Sequence, residues 1–323
     1  MLTCNKYPLG AIAALAVLGP VAVWADDAPS YTSATEAYRQ GEKALKTGMP
    51  ATAVPALEYA AKRGVLGAQV KLARAYASGR DLPKDNAKAF MYFQQIADQQ
   101  ADINPRSPIA KYASEAFVAL GQYYLDGIPE MPLVANPAYA GQLFRHAASY
   151  FGNAEAQYRL ARLYINGDGV EKNVGLAVNW LATAAKKQHP ASQATLGEIL
   201  WRGEEVRQRR ARGLALIMLA HENASVNGKE PQWISDLYGE VLGKSDNATR
   251  KDAKALLPEL GGGKVAVTAP SAKAKPAEIL VMPASGEGAE PPAAAGEGAV
   301  PPASIGLSVG FGAAPAEPAG IKP

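Results

Sequence analysis

Catalysis and metal binding need a few residue types at short spacing, and this chain is poor in them. It has three histidines and one cysteine in 323 residues. His146, His189 and His221 are far apart in the chain, and none has metal-ligand spacing. His221-Glu222-Asn223-Ala224-Ser225 begins like a zinc-protease helix but lacks the second histidine one turn on. The lone Cys4 excludes a zinc cluster, a disulfide framework and a dithiol redox pair. Asn166-Gly167-Asp168-Gly169 lacks the lysine and the preceding strand of a phosphate loop, and reads as a turn. Serine, histidine and aspartate are present, but no nucleophile-elbow signature joins them. The expectation is a protein without catalytic residues, metal or cofactor, which acts by binding. Histidine titrates near neutrality, so loosening of a repeat contact in acid is a secondary reading.

Charge narrows the partners. The formal net charge is +3, charged residues make up 20% of the chain, and no uniformly basic face is apparent, so a nucleic-acid ligand is not expected. Glu204 to Arg212 does hold four arginines in six residues, Arg207, Arg209, Arg210 and Arg212. Two readings stand. One is a solvated connector open to a protease. The other is a contact for an acidic partner or lipid headgroups.

The two ends differ from the middle. Lys6 precedes a charge-free apolar run from Leu9 to Val23, and Val23-Trp24-Ala25 suits cleavage before Asp26. Residues 1–25 therefore read as a secretory signal peptide cleaved after Ala25, with an uncleaved anchor as the alternative. Cys4 lies before the run and none follows it, so a lipoprotein signal is absent. Residues 261–323 contain 11 Gly, 10 Pro and 16 Ala. Such a segment buries too little apolar surface to offset its ordering entropy, and a disordered tail is expected. It serves either as a solubilising spacer or as a ligand for a wall or partner.

Residues 31–260 are a repeat, and the period decides the fold. Leu72-Ala73-x-x-Tyr76-x-x-Gly79, Leu120-Gly121-x-x-Tyr124-x-x-Gly127, Leu160-Ala161-x-x-Tyr164-x-x-Gly167 and Leu196-Gly197-x-x-Leu200-x-x-Gly203 share one pattern. After each glycine comes a block rich in alanine and large apolar residues, such as Ala177, Trp180-Leu181 and Ala184-Ala185. Leucine and the residue four on share a helix face, and the small residue between them admits a partner helix. The glycine suits a left-handed helix end. Asp85, Asn136 and Asn173 sit where the second helix needs an N-cap; Arg209 stands there in the last unit, so a looser or shifted start is expected. Pro190 and Pro231 fit first-turn positions. The units are about 37–64, 65–100, 113–152, 153–188 and 189–224, followed by cap helices over 231–257. Each hairpin leaves an apolar face that only its neighbours can cover. The fold class is thus all-α: a right-handed α-solenoid of TPR-like helical hairpins.

In such hairpins the first helix lines the concave face. Two positions before the repeat leucine stand Val70, Val118, Tyr158 and Ala194; two after it, Arg74, Gln122, Arg162 and Glu198; five after it, Ala77, Leu125, Ile165 and Trp201. Apolar strips beside a polar row suit an extended or helical protein segment. Tyr158, Arg162 and Trp201 are types that often carry interface energy. The alternative is that the apolar rows only pack between repeats.

Asn166-Gly167-Asp168-Gly169-Val170, followed by Asn173, Ala177, Trp180-Leu181 and Ala184-Ala185, resembles the Sel1-like branch of tetratricopeptide repeats. Tyr123-Tyr124-x-x-Gly127-Ile128-Pro129-x-x-Pro132, Gln142-Leu143-Phe144, Ser149-x-Phe151-Gly152-x-x-Glu155-Ala156-Gln157, Leu160-Ala161-Arg162 and Ala211-Arg212-Gly213-Leu214-Ala215 are similar to the ExoR family of exopolysaccharide regulators. The resemblance covers roughly residues 31–260; the tail departs from it. It implies a periplasmic repressor that binds the sensor domain of a membrane histidine kinase (an ExoS/ChvI-type two-component system) and is itself removed by a periplasmic protease. A Sel1-like scaffold for a polysaccharide export or cell-wall complex is the other reading.

Overall fold

The computed structural model describes residues 31–226 and 231–261. The expected signal peptide and all but the first residue of the expected tail lie outside these residues. Twelve helices follow in order: α1 (Ala34–Lys46), α2 (Pro50–Lys62), α3 (Leu66–Ser78), α4 (Asn86–Gln100), α5 (Ala110–Asp126), α6 (Pro137–Ser149), α7 (Ala154–Asn166), α8 (Val174–Lys186), α9 (Pro190–Arg202), α10 (Arg210–Val226), α11 (Gln232–Lys244) and α12 (Asn247–Leu260). Among the described residues there is no strand, only an antiparallel bridge from Ile128 to Leu133. Helices pack chiefly on their sequence neighbours, with α12 folding back onto α10, as hairpins stacked in a solenoid do.

The helix boundaries follow local chemistry. The side chains of Asp85, Asn136 and Asn173 accept the amide hydrogens of Lys88, Tyr139 and Leu176 at 2.9, 3.0 and 2.9 Å. Gly79, Gly167 and Gly203 end α3, α7 and α9 in the left-handed region. Gly127 differs: φ is 71° but ψ is 174°, because the chain there turns into the Ile128–Leu133 bridge. In each of the four full units the hairpin loop is then closed by an equivalent backbone bond. The amides of Asp85, Asn136, Asn173 and Arg209 donate to the carbonyls of Tyr76, Tyr124, Tyr164 and Leu200 at 3.1, 2.6, 2.8 and 2.9 Å.

That bond corrects the shifted half of one expectation. The last hairpin's second helix is not shifted by Arg209; α10 begins at Arg210 in the same register, because the closure uses backbone atoms that any residue supplies. Pro231 is also one residue outside its expected place, at the N-cap of α11 rather than in its first turn. Pro190 is at the start of α9 as expected.

Close approach depends on the small residue after the repeat leucine. A Cβ on Gly121 would lie 2.5 Å from Phe144 of α6, and one on Gly197 would lie 2.7 Å from the Gly213 carbonyl of α10. Ala73 and Ala161 are fully buried in the equivalent places. Successive hairpins are also clasped by buried glutamines. The Nε2 groups of Gln69, Gln157 and Gln193 donate to the carbonyls of Ala61, Ala148 and Ala185, which end the preceding helices α2, α6 and α8. The Ala61 and Ala185 carbonyls already accept the Gly64 and Gln188 amides, so there the clasp is a second bond to a helix-end acceptor that ties one hairpin to the next. In the unit that lacks this glutamine, Phe117 packs on His146 and Phe151 with ring centroids 4.5 and 6.0 Å away.

The interior runs along the stack in three groups of side chains. One extends from Ala37 to Leu163, one gathers Val178, Leu181, Leu196, Leu200 and Leu216, and one gathers Leu214, Ile217, Ile234 and Val241. Tyr164 and Trp180 touch the first two groups, and Leu260 touches the last two. The apolar surface of each hairpin is thus covered by the next, and this supplies most of the stability of the helices.

Candidate docking surface

The first helices of the four full units, α3, α5, α7 and α9, carry the residues expected to line a groove. The structure divides those residues into three groups. Val70 and Ala194 are core residues, 5% and 0% exposed, and cannot line an open groove. They sit next to Gln69 and Gln193, on a face turned toward the preceding hairpin, and the expectation fails for them. Val118 and Leu125 are half-buried against the first interior group, Tyr158 and Ile165 against the second, and Trp201 against the third. They therefore serve packing and keep an accessible edge. Arg74 and Arg162 are exposed, while Gln122 and Glu198 are half-buried.

The polar row is cross-linked rather than free. Arg74 of α3 forms a two-pronged pair with Glu115 of α5, its Nε 2.6 Å from Oε1. Gln122 of α5 accepts from Arg159 of α7 and donates to Asp126 at 2.7 Å. Lys71 of α3 meets Glu42 of α1 at 3.1 Å. His189, the N-cap of α9, places Nε2 3.0 Å from Glu155 of α7, while its Nδ1 accepts the Ser192 amide at 3.2 Å. A ladder of polar contacts thus joins each first helix to the next. Partly exposed pairs of this kind add little stability individually, but they fix the mutual orientation of the rungs.

At Glu155 burial works to raise the carboxyl pKa. The hydrogen bond from His189 and the charge of Arg159 outweigh it and hold Glu155 below the usual carboxylate value. The Tyr158 ring lies 5.5 Å from the His189 ring. Arg162 Nη1 lies 3.3 Å from the Tyr158 hydroxyl. Farther along, Glu198 pairs with Arg202 at 2.7 Å, and the Arg210 guanidinium stands 5.6 Å from the Trp201 ring centroid. The α7–α9 stretch therefore combines two aromatic edges, an exposed guanidinium and a carboxylate. That mixture suits a peptide backbone with mixed side chains.

Sequence reasoning missed the ladder's second partners, Glu115, Glu155, Arg159 and His189, and the glutamine clasps. The clasps left a readable signal, because a glutamine stands three residues before the repeat leucine in three of the four units. The ladder left a weaker one: Glu115 and Glu155 both stand five residues before the repeat leucine, and Lys71 and Arg159 one before it, but the groups they meet stand at other positions. Among the described residues, no group of His, Cys, Asp and Glu could hold a metal ion, and no helix is long and apolar enough to cross a membrane.

Relatives bear on what such a surface serves. The Sel1 repeat model matches residues 67–100, 114–149 and 154–189, which correspond to α3–α4, α5–α6 and α7–α8. The chain is 32% identical over 216 residues to an exopolysaccharide production negative regulator of Rhizobium meliloti (strain 1021), covering 67% of this chain and 78% of that protein. It is 32% identical over 226 residues to the protein of that description from Rhizobium leguminosarum bv. viciae, covering 70% and 82%. This chain belongs to that regulator family. The family's Sel1 solenoid also has a solved counterpart, a protective antigen present in uropathogenic Escherichia coli strains, with a TM-score of 0.55 at 22% identity. That likeness covers 75% of this chain and about half (51%) of the antigen, and it concerns the fold alone.

Proposed function

We propose that this regulator acts in the periplasm as a repressor of exopolysaccharide production, by binding the sensor domain of a membrane histidine kinase. The observation that carries the reading is the 32% identity to two exopolysaccharide production negative regulators over 78% and 82% of their lengths. The apolar run before Ala25 supports export. The α7–α9 face supports recognition of a protein segment, with Tyr158 and Trp201 as anchors and Arg162 and Glu198 setting register.

Repression by binding needs only a preference for the kinase's inactive state. Each ~1.4 kcal/mol of preference shifts that balance tenfold. Loss of the binder, for instance by proteolysis in the connector over 203–209, would remove the preference and release the kinase; Arg210 and Arg212, read from the sequence as part of that loop, lie in α10.

The test is deletion of the gene with exopolysaccharide as the readout, followed by complementation with Tyr158→Ala or Arg162→Ala. Deletion should cause overproduction. Both variants should keep a wild-type helical spectrum yet fail to restore repression fully. Complete repression by both would remove the α7–α9 face from the model. Pull-down from membranes should recover a sensor kinase; recovery of an export complex instead would favour a scaffold.

A further inference from the structure

Where α8, α9, α10 and the end of α12 meet, the solenoid leaves a cleft of about 180 Å3. Its floor is apolar: Val178, Leu196, Leu200, Leu216 and Leu260. Its rim carries three cations, Lys186, Arg209 and Arg212, against one carboxylate, Glu259. Arg212 and Glu259 stand 3.6 Å apart, a loose pair. Arg209 and Lys186 have no carboxylate partner among the described residues. The volume is below the roughly 300–1,000 Å3 typical of small-molecule sites, so the cleft suits a few side chains of a peptide rather than a cofactor. The occupant that fits is a short aliphatic stretch with a carboxylate beside it.

The chain contains one such stretch close at hand. Leu260 lines the cleft, and one residue later the described chain ends. In the Ala-, Pro- and Gly-rich sequence that follows, Glu278-Ile279-Leu280-Val281-Met282 is the only run of four consecutive large apolar residues, and an acid precedes it. The 16 residues from Gly262 to Ala277 connect the two. Sixteen residues reach at most about 55 Å when fully extended, so the cleft lies within the stretch's range. We propose that Glu278–Met282 docks in this cleft, with its aliphatic side chains on the leucine floor and Glu278 facing Arg209. The proposal stands apart from the kinase reading, because it concerns a contact within one chain.

The test uses the full chain with Cys4→Ser, which leaves no native cysteine. Ala182→Cys, at the half-buried lip of the cleft, is combined with single cysteines at Ile279, Leu280, Ser285 or Ala303. Under mild oxidation, crosslinks within one molecule should form at least tenfold faster from positions 279 and 280 than from 303. Arg209→Glu should abolish that advantage, and adding Glu278→Arg should restore it. Wild-type helical spectra in all variants guard against unfolding. Equal rates from every position would overturn the proposal. Crosslinks between molecules would overturn it too, by assigning the cleft to a second copy.

Discussion

At the scale of single residues, the informative positions are those whose partners are fixed. Asn173 accepts the Leu176 amide, and Asn173→Ala should lower stability by about 1 kcal/mol in denaturant unfolding. Gln193 clasps α8 and also binds Gln188 and Asn223. Its replacement by alanine should cost about 1–3 kcal/mol, more than the cap, because three hydrogen bonds and the packing of a fully buried side chain are lost together. His146 is half-buried beside the rings of Phe117, Tyr150 and Phe151, and its Nε2 is buried without a partner. Burial pushes its imidazole below the ordinary value of 6.5, against the opposing pull of the Ala101 carbonyl and the Asp102 charge. The unfolded chain therefore takes up this proton before the folded one does. The stability linked to His146 is full above pH about 6.5 and declines as pH falls below it. Denaturation midpoints at pH 7.5 and 5.5 should separate, and His146→Phe should narrow the gap. An unchanged gap in that variant would clear His146. Among these side chains the caps could be read from the sequence, since Asp and Asn before a helix have one common use. The burial of His146 could not, because it depends on Phe151 and on residues 101–102 of the connector between α4 and α5.

At the scale of elements, the hairpins were legible because leucine, a small residue and glycine recur at a spacing that only paired helices explain. Among the described residues, caps and glycines mark the ends of the repeat helices to within a few residues. What the pattern did not reveal is which side of each first helix faces the neighbouring hairpin. Val70, Val118, Tyr158 and Ala194 hold the same repeat position, yet Val70 and Ala194 are buried and Val118 and Tyr158 half-open. Repeat position therefore assigns a residue to a helix face but not to solvent. Close packing gives a sharper prediction. Gly197→Ala would place a methyl 2.7 Å from the Gly213 carbonyl, a backbone atom that cannot swing aside. The variant should lose about 1–3 kcal/mol, read as a lower urea midpoint, whereas an alanine already occupies the same site in the units of Leu72 and Leu160. Wild-type stability of Gly197→Ala would show that α9 and α10 can separate freely.

At the scale of the whole molecule, contacts run mainly between sequence neighbours, so the array should open from its ends rather than all at once. Amide exchange should be fastest in α1 and in α11, slowest in α5 to α9, and uniform rates would contradict a stacked array. The functional reading came from resemblance to known regulators, not from periodicity; periodicity placed Arg162 and Tyr158 on the first helix of their unit, with Arg162 exposed and Tyr158 half-buried as a groove needs, but not the ladder that orients them. The loop closures have a wider consequence. Each hairpin is shut by an amide and a carbonyl that belong to every amino acid except, for the amide, proline, and most of the joints reuse one glutamine geometry. Such a construction can gain or lose whole modules by unequal recombination without inventing new joints. The number of units, and with it the distance the protein can reach along another molecule, is then a quantity that evolution adjusts by copying rather than by redesign.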